Sequence, residues 1–308
     1  MAKLKSEQHH WWPRCVSRNW AAEDGTTGWI RPDGNIVRVP PHRLGAIGNA
    51  HHIKLGHSPG VETSWDSSFE REFDIADNNF PSVISWLEGL ERKFIPEVDL
   101  RRRFLALSAS DDQLRLLTES VVSLAVRSPR NRAASVALAE RLRGTLPSHE
   151  RNALIGVNMC HSQRIITDSF GTRGKYAVLF SEGREFIFGD GFFHNVVAVN
   201  TAPLTPKLLV PITPYMSVIV SRPGSFMVEP RLSTLVLDDD EVEKCNHAIQ
   251  VYSRSSLFFR SQKPTLIEDF MRNEHLVYAD PNNPIDNLIL SIPGIPPRDH
   301  SLHFLMRG

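Results

Sequence analysis

The feature that most constrains the fold is a change in the spacing of apolar residues near Gly171. Before it, between residues 64 and 165, apolar side chains recur at intervals of three and four, which is typical of amphipathic helices. After it, short apolar runs rich in β-branched residues indicate buried strands. The pattern predicts an α+β fold in which a helical N-terminal half packs on a mostly antiparallel sheet formed by the second half.

Length and composition favour a single soluble domain. The chain has 308 residues, of which 41% are hydrophobic and 23% charged, and such a chain can bury a sizeable core. Because helices before and after a sheet can share one core, residues 1–308 are interpreted as one α+β domain. The alternative is a subdivision at the change of pattern, with residues 1–170 mainly helical and residues 171–308 forming a sheet with helices.

The charge balance and the cysteines bear on partners and compartment. Lysine plus arginine equals aspartate plus glutamate at 35 each, so nucleic-acid binding would need a local basic patch. Cys15, Cys160 and Cys245 are far apart in sequence, which argues against a disulfide framework or a zinc ribbon. No signal peptide or membrane-spanning stretch is recognisable. We expect a cytoplasmic protein without a membrane partner, and its oligomeric state is open.

Local signals predict several individual elements. A Pro-Asp-Gly turn at residues 32–34 separates two short strands, and a capping box at residues 110–113 begins a helix. Pro81 is expected to interrupt the helix in which it lies. Residues 176–180 and 185–188 predict the two strands of a β-hairpin.

The N-terminal run His9-His10-Trp11-Trp12-Pro13-Arg14 concentrates imidazole, indole and guanidinium groups. Its tryptophans are expected to be packing anchors. His10 and Arg14 are the candidates for chemistry, because imidazole moves protons near neutral pH and an arginine fork matches phosphate geometry. They also have carboxylate and arginine counterparts further along the chain.

Three acidic residues supply the carboxylates. Glu70 and Asp77 are placed on one helix, where they form either a solvated acidic stripe or an inward-facing pair. Asp190 follows a predicted strand and is either an acid presented at a sheet edge or a turn residue. Carboxylates in these positions would suit either a general base or a divalent metal.

Arginines and one asparagine are the candidates for substrate binding. Arg127, Arg130 and Arg132 surround a helix break at Pro129 and form either an anion-binding corner or surface charge. Asn246 lies within a later helix. These residue types bind anionic or polar groups through planar or amide hydrogen bonds.

Strong catalytic signatures do not occur in the sequence. There is no phosphate-binding loop, dinucleotide fingerprint, HExxH zinc helix, GxSxG elbow or EF-hand loop, so nucleotide-driven and serine-hydrolase mechanisms have no support. The histidines before residue 58 include adjacent pairs but lack the i, i+4 spacing of ligand pairs on a helix. The cofactor is therefore unknown, with a divalent metal as one possibility.

The polar residues lie in motifs that resemble those of the DUF4238 family, an uncharacterised group found mainly in prokaryotes. The run from His10 to Arg14, with Arg18-Asn19-Trp20 behind it, resembles the family's opening motif. Further matches follow in the same order: the paired acids Glu70 and Asp77, Arg127-Ser128-Pro129, Phe186-Ile187-Phe188-Gly189-Asp190, Pro211-Ile212-Thr213-Pro214, and Asn246 with Ala248 and Tyr252.

The resemblance spans about residues 9–260 and implies that the matched polar residues belong together. Gly189 and Gly191 depart from the family pattern around Asp190, and Asp77 stands where the family has glutamate. The family label implies no established activity.

Two functions are considered as alternatives. In the first, the protein is a metal-dependent or His/carboxylate hydrolase acting on nucleic acid, as a nuclease-like effector of a prokaryotic defence or toxin system. Its catalytic residues would be His10, Glu70, Asp77 and Asp190, and its substrate-binding residues Arg14, Arg127, Arg130 and Asn246. In the second, the protein is a non-catalytic module that binds nucleic acid or another protein, and the same residues form a buried structural network.

Overall fold

The computed structural model describes residues 8–48, 52–53, 67–68, 70–196, 203–280 and 282–296. Its helices are α1 (Arg14–Ser17), α2 (Asp74–Glu88), α3 (Asp111–Arg127), α4 (Pro129–Arg143), α5 (Ser148–Phe170), α6 (Asp239–Tyr252), α7 (Glu268–Met271) and α8 (Pro284–Leu290). Its strands are β1 (Gln8–His10), β2 (Thr27–Ile30), β3 (Ile36–Val39), β4 (Ala46–Gly48), β5 (His52–Ile53), β6 (Ser67–Ser68), β7 (Leu105–Leu107), β8 (Lys175–Ser181), β9 (Phe188–Gly189), β10 (Lys207–Thr213), β11 (Met216–Ser221), β12 (Leu232–Leu237) and β13 (Leu257–Phe259).

Two larger sheets organise these strands. One has the order β10-β11-β8-β12-β7 and the other the order β3-β2-β13-β9. Neighbouring strands are antiparallel except β8 and β12, which are parallel. Strands β8, β11 and β12 are buried at every residue, so both faces of this sheet are covered and its strands are continuous apolar runs.

The predicted arrangement of a helical first half on an antiparallel second-half sheet is wrong. Mixed α+β content is observed, but helices occur throughout the chain, since α6, α7 and α8 follow β12. Strands β2, β3 and β7 of the first half join the larger sheets, and β12 pairs with β8 in parallel. Apolar spacing identifies the strands, whereas their order and direction depend on contacts between residues far apart in sequence.

The predicted hairpin of residues 176–180 and 185–188 does not form. Strand β8 pairs with β11 and β12, whereas β9 pairs with β13 of the other sheet. Strand β8 ends at Ser181, and the chain then reaches Glu185, a buried residue. The Glu185 carboxylate accepts hydrogen bonds from the N–H groups of Ser261 and Gln262, both at 2.8 Å. Satisfying a buried carboxylate outweighs the local turn signal.

The predictions at turns and caps are confirmed. Strands β2 and β3 pair around the Pro-Asp-Gly turn, where Gly34 has a φ of 80°. The Ser110 hydroxyl accepts from the Gln113 N–H at 3.2 Å, and the Gln113 side chain accepts from the Ser110 N–H at 3.0 Å. These features involve residues only a few positions apart, so the sequence is sufficient to identify them.

Pro81 does not interrupt its helix, because α2 is continuous from Asp74 to Glu88. Proline has no amide hydrogen, so the carbonyl of Asp77, four residues earlier, receives no helical hydrogen bond from position 81. The Cys15 thiol donates to this carbonyl instead, with Sγ and O 3.6 Å apart. A side chain of α1 thus replaces the missing bond and joins α1 to α2.

The tryptophans of the N-terminal run are packing anchors, as predicted. Trp12 and Trp20 are fully buried, and Trp11 is nearly so. The Trp12 indole stacks on Phe188 with the ring centroids 4.4 Å apart and the planes 4° apart, and its centroid lies 4.8 Å from that of Phe258. Because these phenylalanines belong to β9 and β13, the segment before α1 packs on the second sheet.

Candidate functional site

The predicted site residues divide into three sets. The first set lies where α1 meets α2 and the end of α3: His10, Arg14, Asp77 and Arg127. The second set binds backbone groups near β9: Asp190 and Asn246. The third is Arg130, which lines a cavity. Glu70 begins a 3-10 turn before α2, and its side chain lies outside the described part of the structure.

The first set centres on an ion pair between Arg127 and Asp77. Nη1 and Nη2 of Arg127 donate to the two carboxylate oxygens of Asp77 at 3.0 and 2.6 Å, which is the bidentate geometry that guanidinium and carboxylate favour. Nε donates to the Ser123 carbonyl at 3.2 Å, and the Phe73 ring centroid is 4.8 Å from the guanidinium. Since Arg127 is 1% exposed, its side chain does not reach a ligand from solvent.

His10 lies beside this pair with both ring nitrogens engaged. Nδ1 donates to the Leu44 carbonyl at 3.1 Å, and Nε2 accepts from Arg14 Nε at 3.3 Å, so these partners assign the neutral tautomer. Burial lowers the pKa of His10 below its ordinary value, and the charge of Arg14 acts in the same direction. The hydrogen bond to the Leu44 carbonyl and the charge of Asp77 raise this pKa but do not cancel the effect of burial. The imidazole is therefore neutral near pH 7, and its lone pair already accepts a hydrogen bond.

Asp190 holds the connection between α6 and β13. Its two carboxylate oxygens accept from the N–H groups of Arg254 at 2.8 Å and Ser255 at 2.9 Å, and its own N–H donates to the Ser256 carbonyl at 3.0 Å. Burial raises the pKa of Asp190 to about 6, although the backbone amides act in the opposite direction. Asp190 is buried, so it is not an acid presented at an exposed sheet edge.

The glycines on either side of Asp190 allow two segments of backbone to meet. A Cβ at Gly191 would lie 2.0 Å from the Tyr252 carbonyl oxygen, and one at Gly189 would lie 2.0 Å from the Ser253 hydroxyl. Glycine is therefore required at both positions for steric reasons.

Replacing Gly191 with alanine is expected to lower the free energy of unfolding by about 1–3 kcal/mol, as overpacking does in a close-packed interior. The measurement is urea denaturation monitored by tryptophan fluorescence. Gly144→Ala is not a suitable control, because Gly144 has a φ of 78°. Gly224→Ala is suitable, because its nearest neighbour would be 3.7 Å from the new Cβ. Equal stability of the two variants would contradict the close contact.

Asn246 also makes its hydrogen bonds to backbone. Its Oδ1 accepts from the Ile187 N–H at 2.9 Å, and its Nδ2 donates to the Glu185 carbonyl at 2.9 Å. Asn246 is buried. The side chain thus joins α6 to the segment before β9, because its amide pairs with a backbone N–H and a backbone carbonyl as a neighbouring strand would.

The three arginines at the helix break are buried, so the interpretation as surface charge is wrong. Arg127, Arg130 and Arg132 are 1%, 8% and 7% exposed. Arg127 pairs with Asp77. Arg130 has no acidic partner among the described residues, and its guanidinium lies 4.5 Å from the centroid of the Tyr252 ring. Burial lowers the pKa of Arg130 to about 10, which still leaves the guanidinium charged at neutral pH.

Arg130 lines a cavity of about 510 Å³, a volume within the usual range of small-molecule sites. Polar and aromatic side chains contribute to the same lining, among them His194, Lys207, Tyr252, Tyr278 and Asp286. Lys207 forms an ion pair with Asp286, whose second oxygen accepts from Asn283 Nδ2 at 2.8 Å. These two charges compensate each other, whereas the charge of Arg130 is not compensated by a carboxylate.

Two residues that line this cavity each carry a buried donor atom without a hydrogen-bond partner among the described residues. One is Nη1 of Arg130 and the other is Nε2 of His194. The Val196 N–H donates to His194 Nδ1 at 3.4 Å, so the proton of the neutral ring lies on Nε2. Burial and the charge of Arg130 lower the pKa of His194 well below its usual value. The cavity therefore offers one charged and one neutral donor.

Sequence reasoning identified Arg130 but not the other residues of the cavity. The signal for Arg130 was the density of arginines at the break before α4. His194 lies in no recognisable motif, and the paired Lys207 and Asp286 are 79 positions apart. No spacing rule in a single sequence brings these residues together.

Comparison with protein-family models, curated proteins and solved structures finds no match, so the resemblance to the DUF4238 family stays a prediction. Across the part of the chain that the structure describes, no group of three or more His, Cys, Asp or Glu side chains is arranged to hold a metal ion. In the same residues, no helix has the length and apolar character needed to cross a bilayer. A divalent metal cofactor stays a prediction.

Proposed function

We propose that the protein is a non-catalytic binding module, and that most of its motif residues hold the fold together. The observation that carries this proposal is the pair of Arg127 and Asp77. Both oxygens of the carboxylate accept from the guanidinium, and all three guanidinium nitrogens donate within the protein. Such a pair joins α2 to α3 and has a structural use that requires no substrate.

The remaining motif residues support the same proposal. Asp190 and Asn246 have side-chain atoms hydrogen-bonded to backbone groups of other segments. His10 connects α1 to the Leu44 carbonyl and accepts from Arg14. A general base needs a free lone pair near the proton that it removes. The Nε2 lone pair of His10 already accepts from Arg14, and the Asp190 carboxylate is buried away from solvent.

The hydrolase function stays a prediction, as do the nucleic-acid or protein partner and the cytoplasmic location. The strongest support for the hydrolase function is that four of its predicted site residues lie in one region: His10, Arg14, Asp77 and Arg127. A nuclease would still need an accessible group that activates water. In this region the best candidate for that group is the imidazole of His10, which is half-buried. The two functions therefore differ in what His10 does.

A cleavage assay separates the two functions. Purified protein is incubated with single-stranded DNA, double-stranded DNA and RNA in the presence of Mg²⁺ or Mn²⁺. We expect no cleavage above that of a mock purification. His10→Ala, compared with the control His161→Ala at an exposed position of α5, reports the role of the imidazole. Cleavage by the wild type that His10→Ala abolishes, with an unchanged melting temperature, would overturn the proposal.

A further inference from the structure

We propose that the cavity beside Arg130 binds a small molecule through an oxyanion, a carboxylate or a phosphate group, held between the Arg130 guanidinium and the His194 imidazole. This inference rests on the proposed function, because it names the class of ligand that the binding module would take.

The buried charge of Arg130 lacks an acidic partner among the described residues. A buried charge is strongly unfavourable unless it is paired and hydrogen-bonded. Arg130 is 8% exposed, its Nη1 has no hydrogen-bond partner, and no acidic side chain among the described residues pairs with it. The Tyr252 ring at 4.5 Å compensates part of the charge through a cation–π contact. An anionic ligand would supply the missing partner.

His194 carries a neutral donor on Nε2. Its Nε2–H is a buried donor without an acceptor, and it lines the same cavity as Arg130. Burial, with the charge of Arg130, lowers the pKa of His194 and keeps the ring neutral. A neutral donor next to a cationic fork is a combination that suits the oxygens of one carboxylate or phosphate group. A cationic ligand would leave both donors unsatisfied.

The other residues that line the cavity favour a small ligand over a nucleic-acid strand. Asp286 and the exposed Asp280 also line the cavity. Lys207 compensates the charge of Asp286, whereas Asp280 has no cationic partner among the described residues. The Asp280 carboxylate would therefore repel the successive phosphates of a nucleic-acid strand more than a single anionic group. The rings of Phe193, Tyr252 and Tyr278 lie within 6.5 Å of one another by centroid distance. They supply an apolar surface for the rest of a small organic molecule.

The experiment measures how oxyanions change thermal stability. The melting temperature of the full chain is recorded with inorganic phosphate, with acetate, and with sodium chloride at matched ionic strength. Anything that binds the native state alone raises the melting temperature as its concentration rises. We expect phosphate, acetate or both to raise it more than chloride does. Phosphate also stabilises folded proteins without a binding site, because it is excluded from their surface. Only the part of each shift that Arg130→Met loses is therefore assigned to the cavity, and the anion with the larger such part shows whether the natural group is a phosphate or a carboxylate.

The variant Arg130→Met tests the position of the site, with Arg141→Gln as a control, an exposed arginine of the same helix. Loss of a hydrogen bond to a charged group is expected to weaken anion binding by about 10- to 100-fold. Removing a buried and unpaired cation should leave the melting temperature of the unliganded protein equal or higher. His194→Leu removes the second donor, whereas the side-chain amide in His194→Gln keeps an N–H donor at this position.

Several results would overturn the inference. These are a wild-type shift no larger than that in chloride, an equal shift in Arg130→Met, or a large loss of unliganded stability in that variant. The cleavage assay distinguishes this failure from a failure of the proposed function. Nucleic-acid cleavage abolished by His10→Ala overturns the non-catalytic function whatever the anions do. Without cleavage, a missing anion effect overturns only the ligand class.

Discussion

Replacing Trp12 with alanine is expected to lower the free energy of unfolding by about 3–5 kcal/mol, the range for removing a fully buried large aromatic side chain. Trp12 is fully buried and stacks on Phe188 at 4.4 Å, while Trp20 contacts it edge-on with centroids 5.9 Å apart. Its removal leaves a cavity between the N-terminal segment and the second sheet. The measurement is urea denaturation monitored by far-ultraviolet circular dichroism, which does not depend on the lost indole.

Two controls separate packing from other effects of this substitution. Trp12→Phe keeps an aromatic ring on Phe188 and loses no hydrogen bond, since the indole N–H has no partner among the described residues, so it should be much less destabilising than Trp12→Ala. Phe94→Ala removes an aromatic ring that is 48% exposed and should change stability by no more than about 0.5 kcal/mol. If Trp12→Ala were as stable as Phe94→Ala, the N-terminal segment would not be part of the core.

Replacing Asp77 with alanine is expected to lower the free energy of unfolding by about 3 kcal/mol, near the lower end of the range for breaking a buried ion pair. The substitution leaves Arg127, which is 1% exposed, without its counter-ion. Water reaches the other side of the pair, because the Asp77 side chain is 38% exposed, and this keeps the loss from being larger. Thermal and urea denaturation both report the effect.

The control for Asp77→Ala is Asp74→Ala. Asp74 is an exposed acid in the first turn of the same helix, so its replacement should remove only a favourable interaction with the helix dipole, about 0.3–1 kcal/mol. A catalytic residue is often neutral or stabilising to remove. Equal stability of the two variants would therefore favour the hydrolase function of Asp77.

The sequence alone was sufficient to predict the features whose determining residues lie close together in the chain. The capping box of Ser110 and Gln113 and the turn containing Gly34 follow from side chains within four positions of one another. The buried tryptophans also follow from residue type, because a large aromatic side chain is more stable in a core. These predictions need no knowledge of the rest of the chain.

The sequence alone was insufficient to predict local structure that depends on a contact between two segments far apart in the chain. Pro81 is expected to break a helix, but the Cys15 thiol binds the carbonyl that Pro81 leaves free. Glu185 lies after a turn signal, but its carboxylate binds the backbone of Ser261 and Gln262. In both cases a contact across the fold satisfies a polar group, and a single sequence does not show that contact.

The candidate site shows the same division. The arginines around Pro129 were recognisable as unusual, and the structure places one of them, Arg130, in the cavity. Whether each arginine would be paired was not predictable. Arg127 has Asp77, which lies 50 positions away, whereas Arg130 has an aromatic ring and no carboxylate among the described residues. The difference between a structural and a ligand-binding arginine lies in these partners.

The most direct test of the structural role of the motif residues is a double-mutant cycle on Arg127 and Asp77. The free energy of unfolding is measured by urea denaturation for the wild type, Asp77→Ala, Arg127→Met and the double variant. Removing both partners should be less destabilising than the sum of the single substitutions, with a coupling of about 1–3 kcal/mol. Single effects that add to within about 0.5 kcal/mol would contradict the structural pair.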